Sequence, residues 1–277
     1  MFSRLDKFLR RKYGEIPQSA LQKALRKGMI KVNKRRAKAG DRVSEQDDIF
    51  VAPVVLKMFR CAPPEAPRSI PPYSHSFRDM IIYEDEDIIA VDKPAGLAVQ
   101  LGTKTKVSLD VLAKSYDPAL RLVHRLDKET SGVIIMAKNL LSARHMLYLF
   151  QSKRIIKKYL LVTSRKIKQN CGIIDAPLLR TKTGVVVNYE LGQRAETRYE
   201  LIRHFAGRSF VQAWPKTGRN HQIRAHFAHI GASILGDAKY KGQPFEHLCL
   251  HSNEIRFQTL RGENLTITSA VPAYFPA

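Results

Sequence analysis

Pro63, Pro64, Pro67, Pro71 and Pro72 fall within ten consecutive positions. Each proline ring locks its own φ, removes a hydrogen-bond donor and pushes the preceding residue towards extended backbone. Neither a helix nor a central strand tolerates that density. The chain is therefore expected to divide into a small module over residues 1–60, a proline-rich linker over 61–78 and a larger domain over 79–277.

Charge divides along the same line. Residues 1–60 carry sixteen Lys or Arg against six Asp or Glu, a net +10 out of the chain's +22. An excess of this size favours polyanionic partners and fits a merely solubilising surface poorly. With 44% hydrophobic residues the chain has enough apolar surface for a core, which excludes wholesale disorder. The longest run without Asp, Glu, Lys or Arg is Asn264–Ala277, interrupted by Pro272 and Pro276, so no membrane span is expected. The start, MFSRLDKFLRRKYG, lacks the apolar centre of a signal peptide. Cys61, Cys171 and Cys249 form neither a disulfide framework nor a metal-ligand pattern, which points to a reducing cytoplasm.

In the module, Leu5, Phe8 and Leu9 have helical spacing before Gly14, and Leu21 and Leu25 mark a second helix over 18–26 that stops at Gly28. Ile30 and Val32 then alternate into Asn33-Lys34, a hairpin signal, and Ile49 and Val51 alternate later. Arg10, Arg11, Lys23, Lys27, Lys34, Arg35 and Arg36 occupy positions the apolar pattern leaves outside, a cationic face suited to phosphate contact.

Strand-like runs dominate the larger domain, at 80–83, 88–91, 132–137, 159–163, 197–203, 209–213, 248–257 and 265–269. Helical spacing appears at 108–115, 140–151 and 219–230. Strands following strands with few helices between them predict an α+β fold with a largely antiparallel mixed sheet, beside a small α/β RNA-binding domain.

Two segments carry candidate chemistry. HRLDKETSG at 124–132 lies between apolar runs, so it is expected as a loop at strand ends. Its Asp127 stands between Arg125 and Lys128, whose charges favour the ionised form that a nucleophile or base needs. On spacing alone, an ordinary loop aspartate held by a salt bridge fits better. GRNHQIR at 218–224 is followed by His226 and His229; a helix there puts Arg219, Ile223 and His226 on one face and Asn220 with Arg224 on another. No HExxH glutamate accompanies the histidines, so no metal is expected. Phosphate-loop, GxGxxG, GxSxG and deaminase signatures are all missing from the sequence.

HRLDKETSG resembles the signature of the RluA family of pseudouridine synthases. KPAG at 93–96, KKYLLV at 157–162, GRNHQIRAHFAHIG with LGDAKY over 218–240, and LHSNEIRF at 250–257 agree with that family and fall in its order. The likeness spans about 80–272. The segment from SRLDKFL through IPQSALQKALRKGMIKVN is similar to the small RNA-binding domain named after ribosomal protein four of the small subunit. His124 favours this family over the related small-subunit rRNA group. Asn220 stands where the family commonly has Thr, and Gln100 where it often has His. Gln100 and the accessory domain together look most like the branch that modifies bacterial large-subunit rRNA.

The resemblance implies a cofactor-free and metal-free isomerisation of uridine in RNA, with large-subunit rRNA the expected partner, no DNA, no membrane and a monomeric enzyme. It makes Asp127 the essential carboxylate, attacking the ribose or taking a ribose proton, and Arg224 its ion-pair partner. Tyr159 is implied to stack on the uracil and assist loss of the C5 proton, with a packed core tyrosine as the alternative. Ile223 is implied on the other face of the base. Arg125 is implied to hold the flipped nucleotide, with a structural salt bridge as its alternative. Three other readings remain open: a noncatalytic rRNA-binding or assembly factor, a synthase acting on another RNA such as tRNA, and a metal-dependent nuclease.

Overall fold

A computed structural model of the chain describes residues 2–14, 16–59, 76–102, 107–181 and 183–276, the side chains of Gln18 and Ser19 excepted. The five clustered prolines lie outside the described residues. The chain forms two compact units, Met1–Ile70 and Pro71–Ala277.

In the first unit the order is β1 (Ser3–Arg4), α1 (Leu5–Tyr13), α2 (Gln18–Arg26), β2 (Ile30–Val32), β3 (Arg35–Arg36), β4 (Arg42–Val43), β5 (Ile49–Val51) and α3 (Pro53–Phe59). The two helices and the hairpin are where the apolar spacing puts them. The third helix and the β1–β4 pair were not anticipated. Leu5, Phe8, Leu9, Leu21, Leu25, Ile30, Val43, Val51, Val55 and Phe59 form one core. At roughly 1.5–3 kcal/mol for each fully buried aliphatic or aromatic side chain, that core is what makes so small a unit viable.

The second unit contains β6 (Ile81–Glu84), β7 (Ile88–Lys93), α4 (Leu109–Tyr116), β8 (Arg121–Leu122), β9 (Ser131–Ala137), α5 (Leu140–Gln151), β10 (Ile156–Thr163), β11 (Cys171–Asp175), β12 (Leu178–Arg180), β13 (Val185–Val187), β14 (Glu196–Phe205), β15 (Arg208–Pro215), α6 (Gln222–His229), β16 (Leu250–Gln258) and β17 (Asn264–Thr268). Ten strands make a mixed sheet in the order β11-β14-β15-β10-β16-β9-β7-β6, with β17 paired to β16 and β8 to β9. All its pairings are antiparallel except β16 with β9. The fold is thus α+β, largely antiparallel and mixed, as expected.

Every residue of β9 is buried. Ile134 and Met136 join the core that contains Leu109 and Leu112 of α4. Val133, Ile135 and Ala137 join the core that contains Ala143, Met146 and Leu149 of α5. A strand covered on both faces needs an unbroken apolar run, and GVIIMA supplies one. The α5 start is fixed by a capping box in which Asn139 accepts from Ser142 N–H.

The β14–β15 hairpin turns through Ala206 and Gly207, both with positive φ (41° and 75°). Two left-handed central residues give the turn whose twist matches the flanking strands, and Gly207 adopts that conformation without a Cβ clash.

The parallel seam pairs His251 with Ser131 and Ser252 with Gly132. Gly132 has φ +106°, and a Cβ there would strike the Ser252 carbonyl oxygen. Only glycine lets the two strands close at this point. The seam sets the site, because the 124–130 loop enters β9 there and Tyr159 on β10 pairs with Ser252 on the other side.

Candidate active site

The loop between β8 and β9 is fixed by its least reactive members. Leu126, Thr130 and Ser131 are buried. His124 Nε2 accepts from the Ile135 N–H at 2.8 Å, and its ring stacks on Phe150 with centroids 4.7 Å apart. Burial lowers the His124 pKa to about 3, so the ring is neutral and its proton is on Nδ1.

Lys93 of KPAG anchors the loop from beneath. Its Nζ, fully buried, donates to the carbonyl oxygens of Pro94 (2.8 Å), Leu97 (2.9 Å) and Lys128 (3.0 Å). Gly96 N–H donates to the same Lys128 oxygen. The residue after Asp127 is therefore tied twice to the β7 end.

Asp127 faces a cavity of about 500 Å³ whose lining includes Arg125, Lys153, Lys157, Tyr159, Lys216, Arg219, His221, Ile223 and Arg224. Sequence neighbours do not neutralise Asp127. Arg125 is exposed and makes no ion pair among the described residues, while Lys128 pairs loosely with Glu129 at 3.8 Å. Asp127 Oδ2 is instead approached by Arg224 Nη1 at 3.5 Å and His221 Nε2 at 3.9 Å. The fold brings Asp127 and Arg224 together, but Arg224 has a closer partner. Its Nε and Nη2 each donate to Asp237 at 2.8 Å, and its Cζ lies 5.2 Å from the centre of the Tyr240 ring. Asp237 is fully inaccessible at its side chain, and it also accepts from Tyr240 N–H, capping the short turn Ala238–Tyr240. Hydrogen bonding to Asp237 and both nearby carboxylate charges more than offset burial and raise the Arg224 pKa.

The helix carrying Arg224 starts later than its spacing predicts. His221 takes a left-handed backbone (φ 51°, ψ 22°), so Arg219 and Asn220 belong to the preceding turn and share no helix face with Ile223, Arg224 or His226. Gln222 holds that turn: its Oε1 accepts from Thr217 (2.6 Å) and Arg219 N–H (3.0 Å), and its Nε2 donates to Glu196 O and Thr197. His226 is buried, with Nδ1 on Thr197 and Nε2 on the Ala176 carbonyl, which leaves neither nitrogen for a ligand.

Tyr159 follows a register shift between Lys158 and Tyr159 on β10, an irregularity of the kind that re-aims a side chain. It packs against the cores on both sides of the seam. Burial, together with the Asp127 charge, pushes its pKa up to about 12, so the hydroxyl keeps its proton. Ile223 is buried and borders the same cavity. Burial also lowers the Lys157 pKa, to about 8.

The sequence profile of the RNA pseudouridylate synthase family matches residues 87–229, and that of the S4 domain residues 3–49. A curated relative from Rickettsia typhi, named ribosomal large subunit pseudouridine synthase C, is 36% identical over 98% of this chain and 95% of its own length. The Vibrio vulnificus protein of the same name is 34% identical over 92% of this chain and 84% of its own. The chain belongs to the RNA pseudouridylate synthase family. Among solved structures, human RNA pseudouridylate synthase domain containing 4 superposes on the synthase with a TM-score of 0.61 at 26% identity. It covers 72% of this chain and 91% of that one. The synthase is thus an RNA-modifying isomerase with an amino-terminal S4 domain.

Within that domain Arg11, Lys23, Lys27, Lys34, Arg35 and Arg36 are exposed. Arg10 is half-buried and donates to Ile16 O at 3.2 Å, tying α1 to the turn before α2. Neither spacing nor resemblance gives a role to Lys93, His221, Asp237 or Tyr240. All four lie in motifs already singled out, but what they touch depends on chain-distant partners.

Proposed function

We propose that this synthase isomerises uridines of bacterial large-subunit rRNA, with Asp127 as the reacting carboxylate. The observation that carries the reading is the placement of Asp127: one carboxylate in a cationic cavity, facing an arginine whose other edge is fixed. Large-subunit rRNA is favoured over other RNA by the names of the two relatives, which align with nearly the whole chain.

The reaction breaks the N1–C1′ bond, turns the uracil, joins C5 to C1′, and moves the C5 proton so that N1 gains one. Bonds exchange within a single nucleotide, so no redox partner or energy source enters the balance. Attack on C1′ and removal of a ribose proton both require the ionised carboxylate, and Arg224 places a cation 3.5 Å from it. Tyr159 stacks on the base and assists loss of the C5 proton, its hydroxyl oxygen accepting that proton only as its own passes on. Ile223 gives an apolar contact for the base. Entry of the base costs a few kcal/mol of lost stacking, and Arg125, exposed at the cavity and unpaired among the described residues, occupies or braces the space it leaves. The exposed S4-domain cations, with Arg10 behind them, engage phosphates. We further read the chain as a cytoplasmic monomer divided at 1–60, 61–78 and 79–277.

The test is Asp127→Asn, which keeps size and removes the charge. It is expected to abolish pseudouridine in site-resolved mapping of large-subunit rRNA while RNA affinity stays within a few-fold. Turnover near the unsubstituted rate would overturn the assignment.

A further inference from the structure

His221 holds a left-handed conformation, uncommon for a residue with a Cβ although histidine is among those found there more often. Its side chain caps no helix amide, although its carbonyl accepts the first helix bond from Ala225 N–H. What it achieves is placement: the ring lies between Asp127 and Tyr240. Nε2 is 3.9 Å from Asp127 Oδ2, and Nδ1 is 3.0 Å from Tyr240 Oη.

The hydrogen bonds around Tyr240 select the tautomer. Its oxygen already accepts from Val185 N–H at 3.3 Å. Among the described residues its own proton has one acceptor, His221 Nδ1. If Nδ1 carried the imidazole proton, two donors would converge on Oη and the hydroxyl proton would be left without a partner. With the proton on Nε2 every group is matched, and an N–H faces Asp127. Protonation of both nitrogens is opposed. Burial lowers the His221 pKa, and the charges of Arg224 and Lys239 lower it further against the opposite pull of Asp127 and Asp237.

Among the described residues no side chain makes a hydrogen bond to either oxygen of Asp127, while Arg224 and His221 both stand just beyond that distance at Oδ2. Catalytic hydrogen bonds are commonly long in the free enzyme and tighten around substrate.

We propose that His221 is a positioning residue for the reaction, held as the neutral Nε2–H tautomer by the chain Val185 N–H to Tyr240 to His221, and donating to Asp127 Oδ2 beside Arg224. With Oδ2 taken by two donors, the carboxylate is fixed in rotation and turns Oδ1 to the ribose. The role rests on Asp127 being the reacting group.

Two measurements test it. The first reads the tautomer without RNA: nitrogen-15 NMR of histidine-labelled protein, the His221 signals assigned by their loss in His221→Gln. Nε2–H is expected at neutral pH, shifting towards a mixture in Tyr240→Phe. A His221 that carries its proton on Nδ1, or that is doubly protonated at neutral pH, overturns the inference and leaves the functional reading intact.

The second reads single-turnover rates at saturating RNA beside RNA affinity. A donor lost from a positioned carboxylate should slow the step by roughly 100-fold. His221→Asn retains the left-handed backbone, which Asn tolerates, but its amide ends near the Nδ1 position. It should therefore lose rate with affinity nearly unchanged. His221→Gln reaches the Nε2 position and should recover part of the rate. An Asn variant at the unsubstituted rate, or a loss confined to affinity, overturns the role. An unsubstituted enzyme inactive on all large-subunit rRNA would instead overturn the functional reading from which the role derives.

Discussion

Arg224 gives two nitrogens to Asp237 at 2.8 Å each and only the third, at 3.5 Å, to Asp127. The tight pair is thus structural, and the loose one faces the chemistry. A guanidinium clamped along one edge cannot swing to follow the carboxylate, so Asp127 meets a fixed cation that is already desolvated.

Asp237→Asn should therefore do two kinds of damage. Removing one partner of a buried charge pair typically costs about 3–5 kcal/mol, because the other charge is left uncompensated. Urea unfolding should show a loss of that order, and single-turnover rates should fall as Arg224 is drawn onto Asp127. Unchanged stability would show that the Arg224–Asp237 pair is not holding the cavity wall.

Lys93 makes a pH-dependent prediction. Burial lowers its pKa from 10.5 in the unfolded chain to about 7 in the fold. Below pH 7 both states bind the proton; between about 7 and 10.5 only the unfolded state does. Folding stability should then rise with pH across that window. A Met at this position takes a donor from three carbonyl oxygens. Lys93→Met should be less stable at pH 7 and lack the rise. Urea midpoints at pH 7.5 and 9.5 for both proteins check this. Parallel curves would mean that the amine stays charged throughout.

Tyr159→Phe removes one hydroxyl from a ring that is otherwise packed. RNA affinity should hold within about 2-fold, and turnover should fall by roughly 100-fold or more if the hydroxyl exchanges the C5 proton. Normal turnover by the Phe variant would reduce Tyr159 to a packing and stacking residue.

Much of the fold was legible because its strongest elements are locally determined. The run at 132–137 reads as a strand, HFAGR with its glycine as a hairpin turn, and the spacing at 140–151 as a helix. The third helix of the first unit was missed because PVVLKMF opens with adjacent valines that carry strand propensity. β11, β12 and β13 are three to five residues long, too short for alternation to register. Spacing starts α6 too early because nothing local announces that His221 turns left-handed. At the site, Asp127 and Arg224 stood out through motif resemblance, whereas Asp237 did not. Its meaning comes from a pairing across 13 positions that only the folded turn creates.

Deleting residues 1–60 removes sixteen cations and a net +10. Each lost phosphate contact should lower the slope of log affinity against log salt by roughly 0.7–0.9. Single-turnover rates at saturating RNA should be largely retained, since Asp127, Tyr159 and Arg224 all belong to the other unit. Salt titrations of both proteins measure the first effect. A collapsed saturating rate would show that the amino-terminal unit helps to build the site.

The parallel seam also bears on when the enzyme becomes active during synthesis. Ser131 and His251, bonded across it at 3.0 Å, lie 120 positions apart. Pairings so distant along the chain form late, because the loop between them must be ordered first. During translation the basic S4 domain leaves the ribosome early, and β9 can pair with β7 and β8, but β16 must emerge before the seam closes and gives Asp127 its fixed setting. A nascent chain should therefore be able to hold RNA before it can modify any.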